Sequence, residues 1–151
     1  MPKYYIDKTV LEAAKERVEY TFDNFKRIYV SFSAGKDSTV MLHLVMDEAI
    51  KRKQKVAVMI VDLEGQYKLT IDHIKESIKE YEDLIELYWI CLPIHLRNAV
   101  SVYEPFWTCW DKDKKEAWVK EPPKMAITDE SYFPFFHKGM EFEEFDVLFG
   151  Q

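Results

Sequence analysis

Polar and hydrophobic residues recur at helix spacing in two stretches of the chain. Apolar residues at intervals of three and four predict amphipathic helices over 9–25 and 68–82. Residues 38–53 are apolar on almost every side, which predicts a helix that packs tightly against a sheet. The sequence therefore predicts three helices, spaced far enough apart for a strand to lie between each pair.

Short runs rich in β-branched and aromatic residues follow each of these helices. RIYVSF at 27–32 and DLIELYWICL at 83–92 predict strands. KVAVMIVD at 55–62 is apolar up to its final Asp, which is typical of a strand buried on both faces. The alternation predicts an α/β fold: an open, mostly parallel sheet with right-handed crossovers and helices on both faces.

The pattern changes after the third strand. PIHLRNAVS at 93–101 predicts one short helix, and the residues after it predict a long, aromatic-rich loop. The tail contains so many aromatic residues that we expect it to pack against the rest of the protein. We expect one domain over 1–151, with a core at about 25–95 and a loop-rich extension at 96–151. The apolar ending suggests that the chain was cut from a longer protein.

Composition narrows the class of protein. The net charge is −6 and the pI is near 5.3, which argues against a general binder of nucleic acid or of anionic membranes. Two cysteines are too few for a disulfide framework. The start of the sequence lacks the apolar core of a signal peptide, and no run approaches ~18 apolar residues. We expect a cytoplasmic protein without a membrane segment.

The most informative stretch is SFSAGKDSTV at 31–40, between the first predicted strand and the next helix. In open α/β sheets ligands bind beyond the carboxyl ends of the strands, where a helix N-terminus favours an anion. Gly35 would let a ligand approach the backbone closely. The loop adds hydroxyl donors at Ser33, Ser38 and Thr39 and an ammonium group at Lys36. The loop taken alone fits either a phosphate cradle or an ordinary capped turn.

Two common phosphate-binding motifs do not match this loop. A Walker A motif would need Gly at Val30 and Ser or Thr at Asp37, and GxGxxG is also absent. Asp37 would repel a phosphate. It is explained either by a role in holding Mg²⁺ beside the phosphates or by a role as a helix cap.

The full spacing resembles the PP-loop of the ATP-pyrophosphatase and PAPS-reductase superfamily, usually written SGGxDS. Here it reads Ser33-Ala34-Gly35-Lys36-Asp37-Ser38, with Ala34 in place of the first Gly. A second segment is similar to sulfonucleotide reductases and to the small subunit of ATP sulfurylase. In it, Val61-Asp62 is followed five residues later by Tyr67, and Leu63 stands where Thr is usual.

This resemblance implies a Rossmann-like fold of the adenine nucleotide alpha hydrolase type. It implies that ATP or a related adenine nucleotide binds with its phosphates at the loop and its adenine along the backbone after Val61 and Asp62, with Mg²⁺ at Asp37. Arg97, just after the third strand, is a further candidate phosphate contact. The expected nucleotide-binding set is Ser31, Ser33, Ala34, Gly35, Lys36, Asp37, Ser38, Thr39, Val61, Asp62, Leu63, Tyr67 and Arg97.

The family's chemistry divides in two. PP-loop ATPases cleave ATP between the α- and β-phosphates, adenylate an acceptor and release pyrophosphate. Sulfonucleotide reductases attack sulfur with the thiolate of an ECGxH motif, which this sequence lacks. Cys91 is expected to be buried in the third strand. Cys109, between two tryptophans, is the remaining candidate nucleophile, although a structural role fits it better.

The other candidates have ordinary structural explanations. His43 fits a packed core histidine as well as a ligand neighbour, and His73 fits a surface position. Trp107 and Trp110 could stack on a base, but packing explains them better. No His, Cys and Asp cluster has the spacing of a zinc site.

We expect an adenine-nucleotide-binding domain with ATP-pyrophosphatase chemistry and an acceptor that the sequence does not name. One alternative is a nucleotide-sensing regulatory module that works with a ParB-like partner protein, as in relatives carried by phages and other mobile elements. A second is a nucleic-acid sulfur-modification enzyme, which would need a basic surface. Reduction of a sulfonucleotide by this chain alone is not expected.

Overall fold

The protein is described by a computed structural model that covers Tyr5 and residues 7–151. Most of the N-terminal stretch considered above for a signal peptide lies outside these residues. Nine helices and strands are described, together with 3-10 turns at Lys112–Ala117 and Glu130–Tyr132. In chain order they are α1 (Val10–Asn24), β1 (Tyr29–Ser31), α2 (Lys36–Arg52), β2 (Val56–Val61), α3 (Lys68–Glu80), β3 (Ile85–Ile90), β4 (His95–Arg97), β5 (Phe106–Thr108) and α4 (Phe142–Phe149).

The three predicted helices and three predicted strands are confirmed, with ends that differ by a few residues. The helix starts have local causes. Thr9 caps α1, and its side chain and Glu12 form a reciprocal capping box. The start of α2 is two residues earlier than predicted, because Gly35 takes the cap position and Lys36 is already helical.

Strands β1, β2 and β3 form a parallel sheet in that order, as the alternating pattern predicted. Val30 lies beside Val58, and Val58 beside Leu87. The central strand β2 has four of its six residues buried and the other two half-buried. This confirms that the 55–62 segment is covered on both faces, since a strand packed on one side only would alternate.

The two faces of the sheet are covered by different parts of the chain. Right-handed crossovers between neighbouring strands in sequential order place α2 and α3 on the same face. Phe32, beyond β1, accordingly contacts His73 of α3. On the other face Tyr29 and Tyr88 each meet the ring of Phe149 edge-on, at centroid distances of 5.1 Å. Helix α4 of the extension therefore covers the face that the crossover helices leave open.

The extension is more ordered than the sequence pattern predicted. The predicted short helix at 93–101 is wrong, because His95–Arg97 forms β4, which pairs antiparallel with β5. The backbone of His95 also bonds to the carbonyl of Met140. These partners are distant in sequence, so a local pattern could not reveal them. The expectation that the aromatic tail packs is confirmed, since Phe145 is fully buried among other phenylalanines.

Within the described residues, no helix has the length and apolar character needed to cross a membrane.

Candidate functional site

The loop after β1 has an unusual backbone at Ala34. Its φ is +60°, in the left-handed region that costs a non-glycine residue roughly 1–2 kcal/mol. The SGGxDS pattern has Gly at this position, which adopts such a conformation without strain. Ala34 adopts this left-handed conformation despite its methyl group.

Gly35 directly precedes helix α2, which begins at Lys36. It is the N-cap residue, with an extended backbone, and no side chain caps it. Across the described part of the chain, no acceptor is found for the amides of Lys36, Asp37 and Ser38, the first three residues of the helix. Gly35, Lys36 and Asp37 are exposed. Unbonded amides at an open helix N-terminus can bind the oxygens of a phosphate, and the helix dipole favours the negative charge.

Asp37 lies inside the first turn of α2, two positions after the cap. Because the cap position belongs to Gly35, the alternative that Asp37 caps this helix is wrong. The carboxylate is exposed, and its oxygens have the chemistry that Mg²⁺ prefers. Asp37 therefore fits a magnesium ligand better than a capping residue, although metal binding itself remains a prediction.

Three predicted hydroxyl groups meet in this loop. The Ser33 and Ser38 Oγ atoms are 3.1 Å apart, and Ser38 Oγ donates to the Gly35 carbonyl at 3.0 Å. Thr39 Oγ1 donates to the same carbonyl at 2.9 Å. The hydroxyls thus hold the loop in shape before any ligand binds, which keeps the cost of ordering it low when a phosphate arrives.

His73 of α3 supports this loop, which the sequence analysis missed. Its Nε2 atom is 3.0 Å from Thr39 Oγ1, so α3 is tied to the first turn of α2. The side chain is half-buried rather than on the surface as predicted. The available signal was its place on the helix, next to the buried Ile74 and one turn before the buried Ser77.

His43 is not part of this arrangement. Its Nδ1 atom is 2.6 Å from the hydroxyl of Tyr81, and the two rings meet edge-on. Burial raises the pKa of Tyr81 to about 12, so the phenol stays protonated and neutral at physiological pH. Of the two interpretations left open, the structure favours the packed one.

Asp62, at the carboxyl end of β2, is engaged entirely within the protein. Its side chain is fully buried and accepts hydrogen bonds from the Trp89 indole at 3.0 Å and the Lys120 ammonium at 2.9 Å. Its backbone N–H bonds to Ile90, and its carbonyl accepts from the Trp110 indole. A nucleotide contact at Asp62 would require these bonds to open.

Glu64, two residues on, fastens the extension to the same place. Its carboxylate accepts from the backbone N–H of Trp110 at 2.7 Å and more weakly from that of Val119 at 3.4 Å. Trp110 is 1% exposed, which favours packing over base stacking for this residue. Trp107 is 40% exposed. The extension therefore lies against the segment where the resemblance placed the adenine.

The remaining predicted residues lie in different elements of the fold. Ser31 ends β1 and is exposed, Val61 ends β2, and Leu63 follows half-buried. Tyr67 caps α3 and is 86% exposed. Arg97 lies in the separate β4–β5 hairpin, with its guanidinium 4.0 Å from Glu141. No observation connects Arg97 with the loop, and all these roles remain predictions.

Both cysteines are buried thiols. Burial raises the pKa of Cys91 far above its ordinary value, and burial raises that of Cys109 to about 12. The Sγ atom of Cys109 is 3.5 Å from the carbonyls of Leu92 and Ile94, to which it can donate. A thiol that is buried and protonated is a poor nucleophile. The geometry therefore gives no support to Cys109 as a catalytic residue.

The protein combines a parallel sheet with a strand-to-helix loop whose amides are free and whose sequence is of the SxGKDS type. These features define a nucleotide-binding domain of the PP-loop type. The family model described as "Phosphoadenosine phosphosulfate reductase domain" matches residues 27–124, so the chain belongs to that family. The match includes the loop and the β4–β5 hairpin.

A curated relative is "Uncharacterized protein YbdN" of Escherichia coli (strain K12), which is 43% identical over 137 residues. The aligned region is 90% of this chain but 33% of the relative. The chain thus spans about a third of the length of the relative it matches.

Proposed function

We propose that this domain binds ATP with Mg²⁺ at the loop of residues 33–38 and takes part in adenylyl transfer of the ATP-pyrophosphatase kind. The observation that carries the proposal is the set of three amides without acceptors at the exposed start of α2, beside the Lys36 ammonium. A triphosphate is the ligand that best matches several N–H donors and one positive charge. Membership of the family supports a nucleotide as the bearer of those phosphates.

In the proposed reaction an oxygen of the acceptor forms a bond to the α-phosphorus of ATP. The bond between that phosphorus and the bridging oxygen to the β-phosphate breaks, and pyrophosphate leaves with the electron pair. The amides of α2 and Lys36 would stabilise the charge that develops on the leaving pyrophosphate. Mg²⁺, held at Asp37, would neutralise further phosphate charge.

The test is an incubation of the purified chain with ATP and Mg²⁺, with the products resolved by mass. AMP and pyrophosphate that disappear in Gly35→Ala would support adenylyl transfer. ADP and phosphate, or no binding of ATP at all, would contradict it. Adenylyl transfer can require an acceptor, so ATP binding is measured by calorimetry in the same preparation.

A regulatory module that senses a nucleotide and acts through a partner protein is the second candidate. It is consistent with the aligned region being 33% of the relative, because a domain that is one part of a longer protein can bind a nucleotide and act on the other parts. The test adds the remaining segment of the longer relative to this chain. ATP binding without turnover in that mixture would favour the regulatory candidate. The net charge of −6 does not favour a nucleic-acid substrate.

Asp37→Asn should weaken Mg²⁺-dependent nucleotide binding while leaving the fold intact. Asn keeps the shape but loses the charge that attracts the metal, and the lost interaction with the helix dipole costs only about 0.3–1 kcal/mol. We expect the gain in ATP affinity on adding Mg²⁺ to fall about tenfold, a free-energy difference of about 1.4 kcal/mol. Titration calorimetry with and without Mg²⁺ measures it.

The control for this variant is Asp47→Asn, an exposed aspartate three turns further along the same helix. It should leave both titrations unchanged. An Asp37→Asn protein with the same response to Mg²⁺ as the parent would show that the metal does not use this carboxylate.

This chain alone should not release sulfite from PAPS or APS with thioredoxin as reductant. The attack on sulfur needs an accessible thiolate, whereas Cys91 and Cys109 are 2% and 0% exposed with raised pKa values. The sequence from 122 to 151 contains no cysteine. Sulfite production that is lost in Cys109→Ser would contradict the prediction and would mean that the extension opens during turnover.

A further inference from the structure

A cavity lies beside the segment that follows β2. Its volume is about 520 Å³, within the range of small-molecule sites. It is bounded by Glu64 on one side and by the β4–β5 hairpin and the first 3-10 turn on the others. Three aromatic rings and three carboxylates line it, those of Phe106, Trp107, Trp118, Glu64, Glu104 and Asp111.

The charge of this cavity is negative. Lys114 is the one basic residue among its lining groups, and its ammonium is 3.9 Å from Asp111 and largely exposed. Three carboxylates and one ammonium group give a net charge of −2. A ligand that carries phosphate would be repelled, so this cavity is not a second nucleotide site.

Glu64 makes the cavity more than an acidic cluster. Its side chain is buried, with the residue only 7% exposed, yet the partners it contacts are two neutral backbone N–H groups. The nearby Lys120 pairs with Asp62 instead. In the part of the chain that the structure describes, no basic side chain pairs with Glu64, and a desolvated carboxylate of this kind attracts a cation more strongly than an exposed one does.

Two observations indicate which kind of cation the cavity would bind. Among the described residues, no three His, Cys, Asp or Glu side chains converge closely enough to hold a metal ion. The lining instead includes Trp107, which is 40% exposed, whereas the ring of Phe106, the preceding residue of β5, stacks on His95. A planar guanidinium can lie flat against an indole while the five N–H donors at its edge bond to carboxylates, whereas an ammonium has three donors and no planar face to stack.

We propose that this cavity binds the guanidinium group of an arginine-like ligand, either a free small molecule or an arginine side chain of a protein. Trp107 would stack on the group, while Glu64 and Glu104 would supply the negative charge. This site is independent of the loop at residues 33–38, and its test requires no nucleotide.

The experiment titrates the purified chain with argininamide by calorimetry. Citrullinamide is the matched probe, because it has the same shape and the same α-amino group but an uncharged urea in place of the guanidinium, and lysinamide is the probe with an ammonium side chain. We expect argininamide to bind, lysinamide to bind several-fold more weakly and citrullinamide not to bind. Equal responses to argininamide and citrullinamide, or no binding of argininamide at millimolar concentrations, would overturn the proposal.

Variants locate the site. Trp107→Ala should weaken argininamide binding about tenfold, and Glu104→Gln about threefold, since both side chains are exposed and their loss leaves the fold intact. Glu76→Gln, an exposed carboxylate on α3, is the control and should have no effect. Unchanged binding in both cavity variants would overturn the proposal. A Gly-Arg-Gly peptide that binds more tightly than argininamide would support the site with a protein ligand, and equal binding would support it with a small molecule.

Discussion

Asp62→Ala should reduce the free energy of unfolding by about 4 kcal/mol. The substitution leaves the Trp89 indole N–H, the Glu64 backbone N–H and the Lys120 ammonium without their acceptor. Breaking a buried ion pair typically costs ~3–5 kcal/mol, and an unsatisfied buried donor adds ~1–3 kcal/mol. Lys120 is 24% exposed, so water recovers part of that cost.

Urea unfolding followed by circular dichroism measures this loss. Asp72→Ala is the matched control, because Asp72 forms an exposed ion pair with Lys68 and should cost under about 1 kcal/mol. Lys120→Met separates the charge from the hydrogen bonds and should fall between the two. If Asp62→Ala is no more harmful than Asp72→Ala, the extension is not fastened through Asp62.

Gly35→Ala should lower the affinity for ATP at least tenfold with little change in stability. The φ of Gly35 is −71°, which any residue adopts, and an added Cβ would meet Ser33 Oγ at 3.5 Å, an ordinary contact. The methyl group would lie beside the free amides of α2 and keep phosphate oxygens away from them. Losing one hydrogen bond to a charged group costs ~1.5–3 kcal/mol, which corresponds to a tenfold effect or more.

Ala34→Gly is the complementary change, because it removes a methyl group from the position next to Gly35. It should leave ATP binding unchanged and raise the free energy of unfolding by up to about 1 kcal/mol, since Ala34 has a φ of +60°. Titration calorimetry and urea unfolding of the two variants test the pair together. Equal ATP affinity in both variants would contradict a phosphate site at the start of α2.

The sequence alone was enough to predict the central part of the fold. Apolar periodicity located α1, α2 and α3, and the unbroken run at 55–62 indicated a strand with two covered faces. These signals are local, because the backbone repeat of a helix or strand fixes which positions of one short segment face the core. The loop at residues 33–38 was visible for the same reason: a glycine and small polar residues directly between a strand and a helix.

Only the tertiary structure determined which residues of distant segments contact each other. Residues 95–97 form a strand because β5 and Met140 lie beside them, and the buried Asp62 anchors the extension because Lys120 and Trp89 reach it. His73 supports the loop through Thr39 across a gap of 34 residues. Such contacts depend on the path of the whole chain, and a pattern that repeats every two or four residues contains no information about that path.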